Sequence, residues 1–352
     1  MEGSEPQVSH TLLGLLEHYS PTGSEASAVE WLVGHMRRLG YAEAHIDSAG
    51  NAVGVMGAGP RQGMLIGHID TVRGEIPVRT EGDALYGRGS VDAKGPLAAF
   101  VDAVADIGPL SGWQWIVVGA VDEEGDSRGA RYLIDRHRPA FVIVGEPSRW
   151  DRVTIGYKGS AWTRVTVRRP VAHAASPEAS ACEIAVDYWR DIQAWSADFN
   201  SDRGRAFDQV TPSLRGWSSG DDGLEAWATL HLGTRLPPTL TPDDWHAMLR
   251  GLGPDADVKP DGWATPAYRG EKNSPLTRAF LGAIRQAGGV PAFVVKTGTA
   301  DLNLVAPAWS CPALAYGPGD SSLDHTPDEH ILMSEYARAR GVLARVLRAM
   351  AE

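Results

Sequence analysis

The 352-residue chain has only two cysteines, Cys182 and Cys311. Two thiols cannot build a disulfide framework, and their spacing matches no thiolate zinc motif. No run of 18 consecutive apolar residues is present, so we expect no membrane-spanning helix. The first ten residues, MEGSEPQVSH, have no basic segment followed by an apolar one, so we expect no secretory signal. This expectation favours a cytoplasmic location.

The chain has no surplus of positive charge. It contains 33 Lys and Arg against 44 Asp and Glu, a net charge of −11. This balance argues against non-specific binding to nucleic acid or to anionic membranes. The 43% hydrophobic content is typical of a globular protein, and the length allows one or two domains.

Apolar runs alternate with amphipathic segments in the first part of the chain. Strands are predicted at residues 52–56, 64–69, 115–121 and 141–144, and helices at 12–18, 29–39, 96–107 and 130–137. This order of strands and helices predicts an α/β fold with a mainly parallel sheet and helices on both faces.

The pattern changes after Trp150. Shorter, alternating strands are predicted at residues 153–157, 161–168, 224–232 and 256–259, with helices at 181–195 and 242–252. The α/β pattern then resumes. We therefore expect a discontinuous main domain, 1–151 and 267–352, with a smaller α+β domain inserted at 152–266.

Imidazole and carboxylate side chains follow the predicted strands. They are His68 with Asp70, Asp92 in a Gly-rich loop, Glu123 with Glu124, Glu146, and His325. Parallel strands would bring these ends to one edge of the sheet, where open α/β folds place their chemistry. Carboxylates are rarely buried unless they are paired or bind a metal. Two imidazoles and several carboxylates without a thiolate predict two divalent ions, with zinc first and cobalt or manganese as alternatives.

The spacing of these residues suggests roles in amide hydrolysis. Glu123 and Glu124 are adjacent and point in different directions, so one can bind a metal while the other takes a proton from water. Asp70 can accept the ring proton of His68. Each motif alone has an ordinary explanation, such as a structural histidine or an exposed acidic turn. The hypothesis depends on their coincidence at strand ends.

Several motifs together resemble a known family. GHIDTV, GRGSVDAKGPLAAF, VDEEGDSRGA, VGEPS and HTPDEH occur in this order over nearly the whole chain. They resemble the dinuclear zinc amidohydrolases and peptidases, which include acetylornithine deacetylase, succinyl-diaminopimelate desuccinylase and glutamate-releasing carboxypeptidases. The resemblance implies a zinc-peptidase-like catalytic domain, a lid or dimerisation domain at 152–266, and a homodimer formed through that lid.

The resemblance also implies how the metal ligands divide. One ion would be held by His68, Asp92 and Glu146, and the other by Asp92, Glu124 and His325. Asp92 would then bridge the two ions, and the peptide bond that follows it is often cis in the family. Glu123 would be the general base, and Asp70 would orient His68.

Two residues of the insert match family positions for substrate. His173 matches a lid histidine that reaches the oxyanion, often across a dimer, although it can also be a loop histidine in solvent. Arg235 matches the arginine that binds the substrate carboxylate, as a planar guanidinium can.

Within the family, the chain length and residues 295–303 most resemble hydrolases of carrier-dependent lysine biosynthesis. These enzymes release lysine, and in some relatives ornithine, from the γ-carboxyl of the C-terminal glutamate of a small acidic amino-group carrier protein. The alternatives are a deacetylase of free N-acetylornithine or N-acetyllysine, and a catalytically silent binding relative. Residues 152–215 hold nine basic and seven acidic side chains, which form either a basic docking surface for the carrier or a mixed solvated surface.

Overall fold

The computed structural model describes residues 8–173, 175–253 and 256–352. These residues form two compact units. The first comprises the described part of Met1–Gly156 together with Gly270–Val294 and Ala300–Glu352. The second comprises the described part of Tyr157–Arg269 together with Val295–Thr299. The chain therefore leaves the first unit and returns to it more than once.

Nine α-helices lie in the described part of the chain. They are α1 (His10–Glu17), α2 (Ala26–Arg38), α3 (Lys94–Ile107), α4 (Arg128–Ile134), α5 (Ala181–Asn200), α6 (Pro242–Leu252), α7 (Pro275–Gln286), α8 (Leu302–Trp309) and α9 (Met333–Ala351). None of these helices is both long and apolar enough to cross a bilayer.

The strands of the described residues are short to medium in length. They are β1 (Glu43–Ile46), β2 (Ala52–Met56), β3 (Arg61–His68), β4 (Arg79–Glu81), β5 (Ala84–Tyr86), β6 (Trp113–Ala120), β7 (Phe141–Gly145), β8 (Arg152–Tyr157), β9 (Gly159–Pro170), β10 (Thr211–Asp221), β11 (Glu225–Leu236), β12 (Ala256–Pro260), β13 (Tyr268–Arg269), β14 (Ala292–Lys296), β15 (Ala313–Ala315) and β16 (His330–Leu332).

The large sheet confirms the predicted α/β class. Its strands run in the order β1-β2-β6-β3-β7-β15-β8, and β14 also pairs with β8. The central strands β6, β3, β7 and β15 are parallel to one another. At the sides of the sheet, β1 pairs antiparallel with β2, β2 with β6, and β8 with β15. The sheet is therefore mixed, with its parallel part at the centre, where apolar strands are buried.

One glycine allows α3 to lie close to the central sheet. A Cβ atom at Gly67 would lie 2.9 Å from the Cβ of Leu97 on α3. Only a glycine permits this approach without displacing the helix. Because Gly67 precedes His68, the close packing fixes the end of β3 directly beside the loop that leads into α3.

A small antiparallel sheet, β16-β5-β4, also belongs to the first unit. Ile331 of β16 pairs with Leu85 of β5, and Thr80 of β4 pairs with the same leucine. The sequence analysis did not predict these strands, since each has only three residues and β4 is exposed throughout.

The second unit is an α+β arrangement. Its antiparallel sheet runs in the order β10-β11-β9-β12, and α5 and α6 pack on one face of it. Val165, Leu230, Ile192 and Trp245 are fully buried in this core. Both helices begin with a capping box, in which the side chains at the first turn satisfy free backbone N–H groups.

Candidate metal centre

Several predicted site residues of the first unit lie at or just beyond the carboxyl ends of its parallel strands. His68 ends β3 and pairs with Ala120 at the end of β6, so the loop carrying Glu123 and Glu124 starts at the same level. β7 ends at Gly145, directly before Glu146. The register of parallel strands thus brings these loops to one edge, as the strand-end pattern predicts.

Asp92 lies at the centre of the group. Its Oδ1 is 3.1 Å from Nε2 of His68, and its Oδ2 is 3.0 Å from Nε2 of His325. One carboxylate therefore faces an imidazole with each oxygen. The peptide bond between Asp92 and Ala93 is cis, as the family resemblance implies.

Glu124 is the second carboxylate that contacts His325. Its Oε1 lies 2.8 Å from Nε2 of His325. Ligand atoms of His68, Asp92 and Glu124 all lie within 4.8 Å of one another. His325 has a φ of 60°, a backbone conformation that is uncommon for a residue other than glycine. Such a conformation persists only where the surrounding structure enforces it, and here it accompanies an imidazole directed at two carboxylates.

The donor set fits divalent ions. Neighbouring donor atoms lie about 3 Å apart, which suits adjacent ligands of an ion with bonds of roughly 2.0–2.2 Å. His68 and Asp92 would serve one ion, and Asp92, Glu124 and His325 the other. No thiolate takes part, so the chemistry of the donors matches zinc, cobalt or manganese.

The local electrostatics show how strongly the cluster attracts positive charge. Burial disfavours a charged His68, yet its hydrogen bonds with Asp70 and Asp92 raise its pKa well above the ordinary value. The hydrogen bonds with Asp92 and Glu124 raise the pKa of His325 to about 10. A divalent ion must displace these protons, so its binding releases protons to solvent.

Asp70 contacts two parts of the centre. The Nδ1 atom of His68 is 2.9 Å from the backbone carbonyl of Asp70 and 3.6 Å from its carboxylate. The carboxylate accepts hydrogen bonds from the backbone N–H groups of Glu123, at 3.0 Å, and Glu124, at 3.1 Å. It also accepts from the hydroxyl of Thr22. Two of these hydrogen bonds therefore hold the glutamate loop, a role that the sequence analysis did not predict.

Glu123 is a half-buried carboxylate beside the charged groups of this centre. Burial raises its pKa well above the ordinary value, and the charges of Glu146 and Asp301 add to this effect against the opposing charge of His68. Glu146 is itself buried, at 8% exposure. A carboxylate whose pKa is raised in this way retains a proton more readily than an ordinary one, as a group that accepts a proton and returns it requires.

Asp301 is a buried carboxylate that the sequence analysis did not place in the site. It directly precedes α8 and is 1% exposed. Burial raises its pKa to about 7, although a hydrogen bond with Ser127 and the charge of His68 oppose the shift. Its position before an apolar helix suggests only a helix cap, so no local pattern indicates its proximity to the centre.

The other two predicted site residues belong to the second unit. His173 is exposed, and its Nδ1 accepts a hydrogen bond from the backbone of Ala175. Arg235 is exposed on β11, and its Nη1 donates to the hydroxyl of Thr299 at 2.7 Å. Their roles toward substrate remain predictions.

Sequence comparisons relate the chain to a hydrolase family. The family model described as "Peptidase family M20/M25/M40" matches residues 64–349. The chain is 46% identical over 341 residues to the LysW-lysine hydrolase of Deinococcus radiodurans, covering 93% of this chain and 92% of the relative. It is 40% identical over 352 residues to a Thermococcus kodakarensis protein provisionally named a LysW-lysine/LysW-ornithine hydrolase, covering 99% and 93% of the two chains.

Solved structures share the fold at low sequence identity. An M20 family metallo-carboxypeptidase from Sulfolobus solfataricus superposes with a TM-score of 0.76 at 17% identity, covering 97% of this chain and 98% of the other. A dinuclear metal-binding peptidase of the M20 family from Bacillus subtilis has a TM-score of 0.68 at 10% identity, covering 97% of each chain. With the family match over residues 64–349, these findings show that the chain belongs to peptidase family M20/M25/M40.

Proposed function

We propose that this protein is a two-metal amide hydrolase that releases L-lysine from the lysyl carrier LysW. The amide would join lysine to the γ-carboxyl of the C-terminal glutamate of that small acidic protein, in amino-acid biosynthesis. L-Ornithine on the same carrier is a second substrate, in keeping with the name of the Thermococcus relative. The main support is Asp92 between two imidazoles, with Glu123 nearby, in a chain 46% identical to a LysW-lysine hydrolase.

The protein residues divide the chemical work. When bound, the two ions lower the pKa of a water molecule and polarise the substrate carbonyl. Glu123 accepts a proton at its carboxylate and returns it to the leaving amine, which departs as lysine. Asp70 keeps Glu123 and Glu124 in place through their backbone N–H groups. No covalent bond between enzyme and substrate is required.

Further assignments belong to the same proposal. His68, Asp92 and Glu146 would hold one ion, and Asp92, Glu124 and His325 would hold the other. Zinc is the proposed metal, with cobalt or manganese as alternatives. His173 stabilises the oxyanion and Arg235 binds a substrate carboxylate.

The proposed enzyme is a cytoplasmic homodimer formed through a lid domain at residues 152–266, most of which lies in the second unit. The low cysteine content supports a reducing compartment, since two cysteines cannot provide a disulfide framework.

A competition assay tests the substrate. Purified enzyme is supplied with metal and given lysyl-LysW, ornithyl-LysW, N-acetyllysine and N-acetylornithine side by side, and the released amino acid is measured. We expect lysine release from the carrier to have the highest kcat/KM. Faster release from the free acetylated amino acids would overturn the carrier assignment and favour a deacetylase.

Metal analysis tests the chemistry independently of the substrate. We expect two divalent ions per chain and loss of activity after chelation, with recovery when zinc or cobalt is returned. A protein that binds no ion and recovers no activity would instead be a silent binding relative.

A further inference from the structure

Glu329 is a buried carboxylate outside the predicted ligand set. It is 1% exposed, and its two oxygens accept four hydrogen bonds from one loop. Oε1 accepts from the backbone N–H groups of Val91, at 2.9 Å, and Asp92, at 3.0 Å. Oε2 accepts from the backbone N–H of Gly89, at 3.0 Å, and from Nη1 of Arg88, at 2.9 Å. The whole hydrogen-bonding capacity of the carboxylate is therefore directed at residues 88–92.

The small sheet places Glu329 beneath this loop. His330 on β16 pairs with Tyr86 on β5, so these two strands are in register where β5 ends. The backbone pairing extends one step further, because the N–H of Gly87 donates to the carbonyl of Glu329 at 3.4 Å. Glu329 thus faces the loop at its first residue, and its side chain reaches along the next five.

The same segment supplies an imidazole of the centre. His325 lies four residues before Glu329, and its Nε2 is 3.0 Å from Oδ2 of Asp92. The segment 325–329 therefore contacts the loop of Asp92 at both ends: at the side chain of Asp92 through His325, and at its backbone through Glu329. Charge-assisted hydrogen bonds of this kind are short and stronger than neutral ones, so the backbone contact is rigid.

We infer that Glu329 is a positioning residue that sets Asp92 between the two imidazoles. It fixes the backbone of Asp92, so each carboxylate oxygen faces one histidine. Neighbouring groups that orient metal ligands typically contribute about 10–100-fold to metal affinity or activity. The inference rests on the proposed function in one respect, namely that His68, Asp92 and His325 bind metal.

A matched control separates positioning from simple stability. Asp102 on α3 is another buried carboxylate of the first unit, and it accepts hydrogen bonds from Ser9, at 2.8 Å, and Tyr336, at 2.7 Å. None of these contacts involves residues 88–92. The variant Asp102→Asn is therefore expected to lower the unfolding temperature without changing the metal centre.

The test compares Glu329→Gln with Asp102→Asn and the wild type. Gln keeps the size of the side chain but turns an N–H₂ group toward donors of the loop, so at least one hydrogen bond is lost and a repulsion is gained. Each protein is titrated with Co²⁺, and the bound ions per chain, their affinity and the visible absorption spectrum are measured. Glu329→Gln should bind at least one ion about 10-fold more weakly, show an altered Co²⁺ spectrum, and lose kcat more than it changes KM. Asp102→Asn should keep the wild-type ion count and spectrum.

The outcomes are separable. If wild-type protein binds two ions and Glu329→Gln binds both with unchanged affinity and spectrum, the inference is overturned while the proposed function stands. If the wild type binds no ion, the proposed function fails together with the inference. Should Glu329→Gln not fold, Glu329→Asp keeps the charge but withdraws the carboxylate from the backbone N–H groups of Val91 and Asp92. A several-fold weaker Co²⁺ affinity in Glu329→Asp supports the inference, and wild-type affinity overturns it.

Discussion

At the scale of single residues, two buried carboxylates hold the candidate centre through the main chain. Asp70 accepts the backbone N–H groups of Glu123 and Glu124, and Glu329 accepts those of three residues in the loop of Asp92. A carboxylate offers about four lone-pair sites, so it can fix several N–H groups at once. The proposed ligand side chains therefore project from loops whose backbones are already fixed, which would reduce the reorganisation that metal binding requires.

The role of Glu123 can be tested by a substitution that preserves its shape. In Glu123→Gln the backbone N–H that Asp70 holds is unchanged, but the side chain can no longer accept a proton. We expect kcat to fall by roughly 10²–10⁴-fold while both ions stay bound, because general base catalysis contributes about that much. Turnover and metal content are measured on the same preparation.

The neighbouring glutamate is the control for that assignment. Glu124→Gln should weaken the ion that His325 also contacts, since its Oε1 lies 2.8 Å from that imidazole. Wild-type turnover in Glu123→Gln, together with inactivity in Glu124→Gln despite full metal content, would reverse the two roles.

At the scale of elements, the sequence predicts best where strands are apolar and buried. Residues 52–56 were predicted as a strand and form β2 with the same bounds, and β6 and β7 start within two residues of their predicted positions. Burial on both faces produces continuous apolar runs that are visible without any structure. The chemistry at the strand ends follows from the same signal, which is why the grouping of His68 and Asp92 was predictable.

Other elements were missed for different reasons. β10 is exposed along nearly its whole length and contains Ser218, Ser219 and Gly220, so its sequence resembles a loop. α8 contains Pro307, which usually marks a helix end. Glu329 could not be found in this way either, because its partners lie about 240 residues earlier and no local pattern marks such contacts.

The packing of the first helices predicts a pH-dependent stability. His35 on α2 is 3% exposed, and burial lowers its pKa, assisted by the charges of His10 and Arg38 and opposed by Asp102. The hydroxyl of Thr11 donates to Asp102, so it accepts from Nε2–H of His35 at 2.8 Å. Nδ1 of His35 then remains unprotonated, without a hydrogen-bond partner among the described residues.

Acid should therefore destabilise the protein through His35. The unfolded chain takes up a proton at His35 below about pH 6.5, while the folded chain resists it, so stability present above that pH is lost as the pH falls. We expect the urea midpoint to decline from pH 7 toward pH 5 more steeply in the wild type than in His35→Gln, whose side-chain N–H₂ can still donate to Thr11. Parallel slopes in the two proteins would show that His35 is not responsible.

At the scale of the whole molecule, the charge distribution bears on how an acidic carrier approaches. Residues 152–215 have two more basic than acidic side chains, but the complete second unit has 13 Lys and Arg against 15 Asp and Glu, a net charge of −2. Most arginines of that segment also lie beside a carboxylate, among them Arg168 with Glu225 at 2.9 Å and Arg205 with Asp208 at 2.6 Å. Of the two interpretations of this surface, these pairs favour the mixed solvated one.

Salt should accordingly not slow the reaction with the carrier. The chain has a net charge of −11 and the proposed carrier is acidic, so at low ionic strength their mutual repulsion would extend over about 30 Å, and at 0.1 M it would be screened to about 10 Å. We expect kcat/KM for lysyl-LysW to rise a few-fold over this range, since screening a repulsion speeds encounter. The control is a short neutral peptide whose C-terminal glutamate carries lysine on its γ-carboxyl, and kcat/KM for this peptide should stay constant. A steep fall with salt in kcat/KM for the carrier, but not for the peptide, would contradict this view, because screening slows an encounter only where it weakens an attraction. Such a fall would identify a basic docking surface on the enzyme.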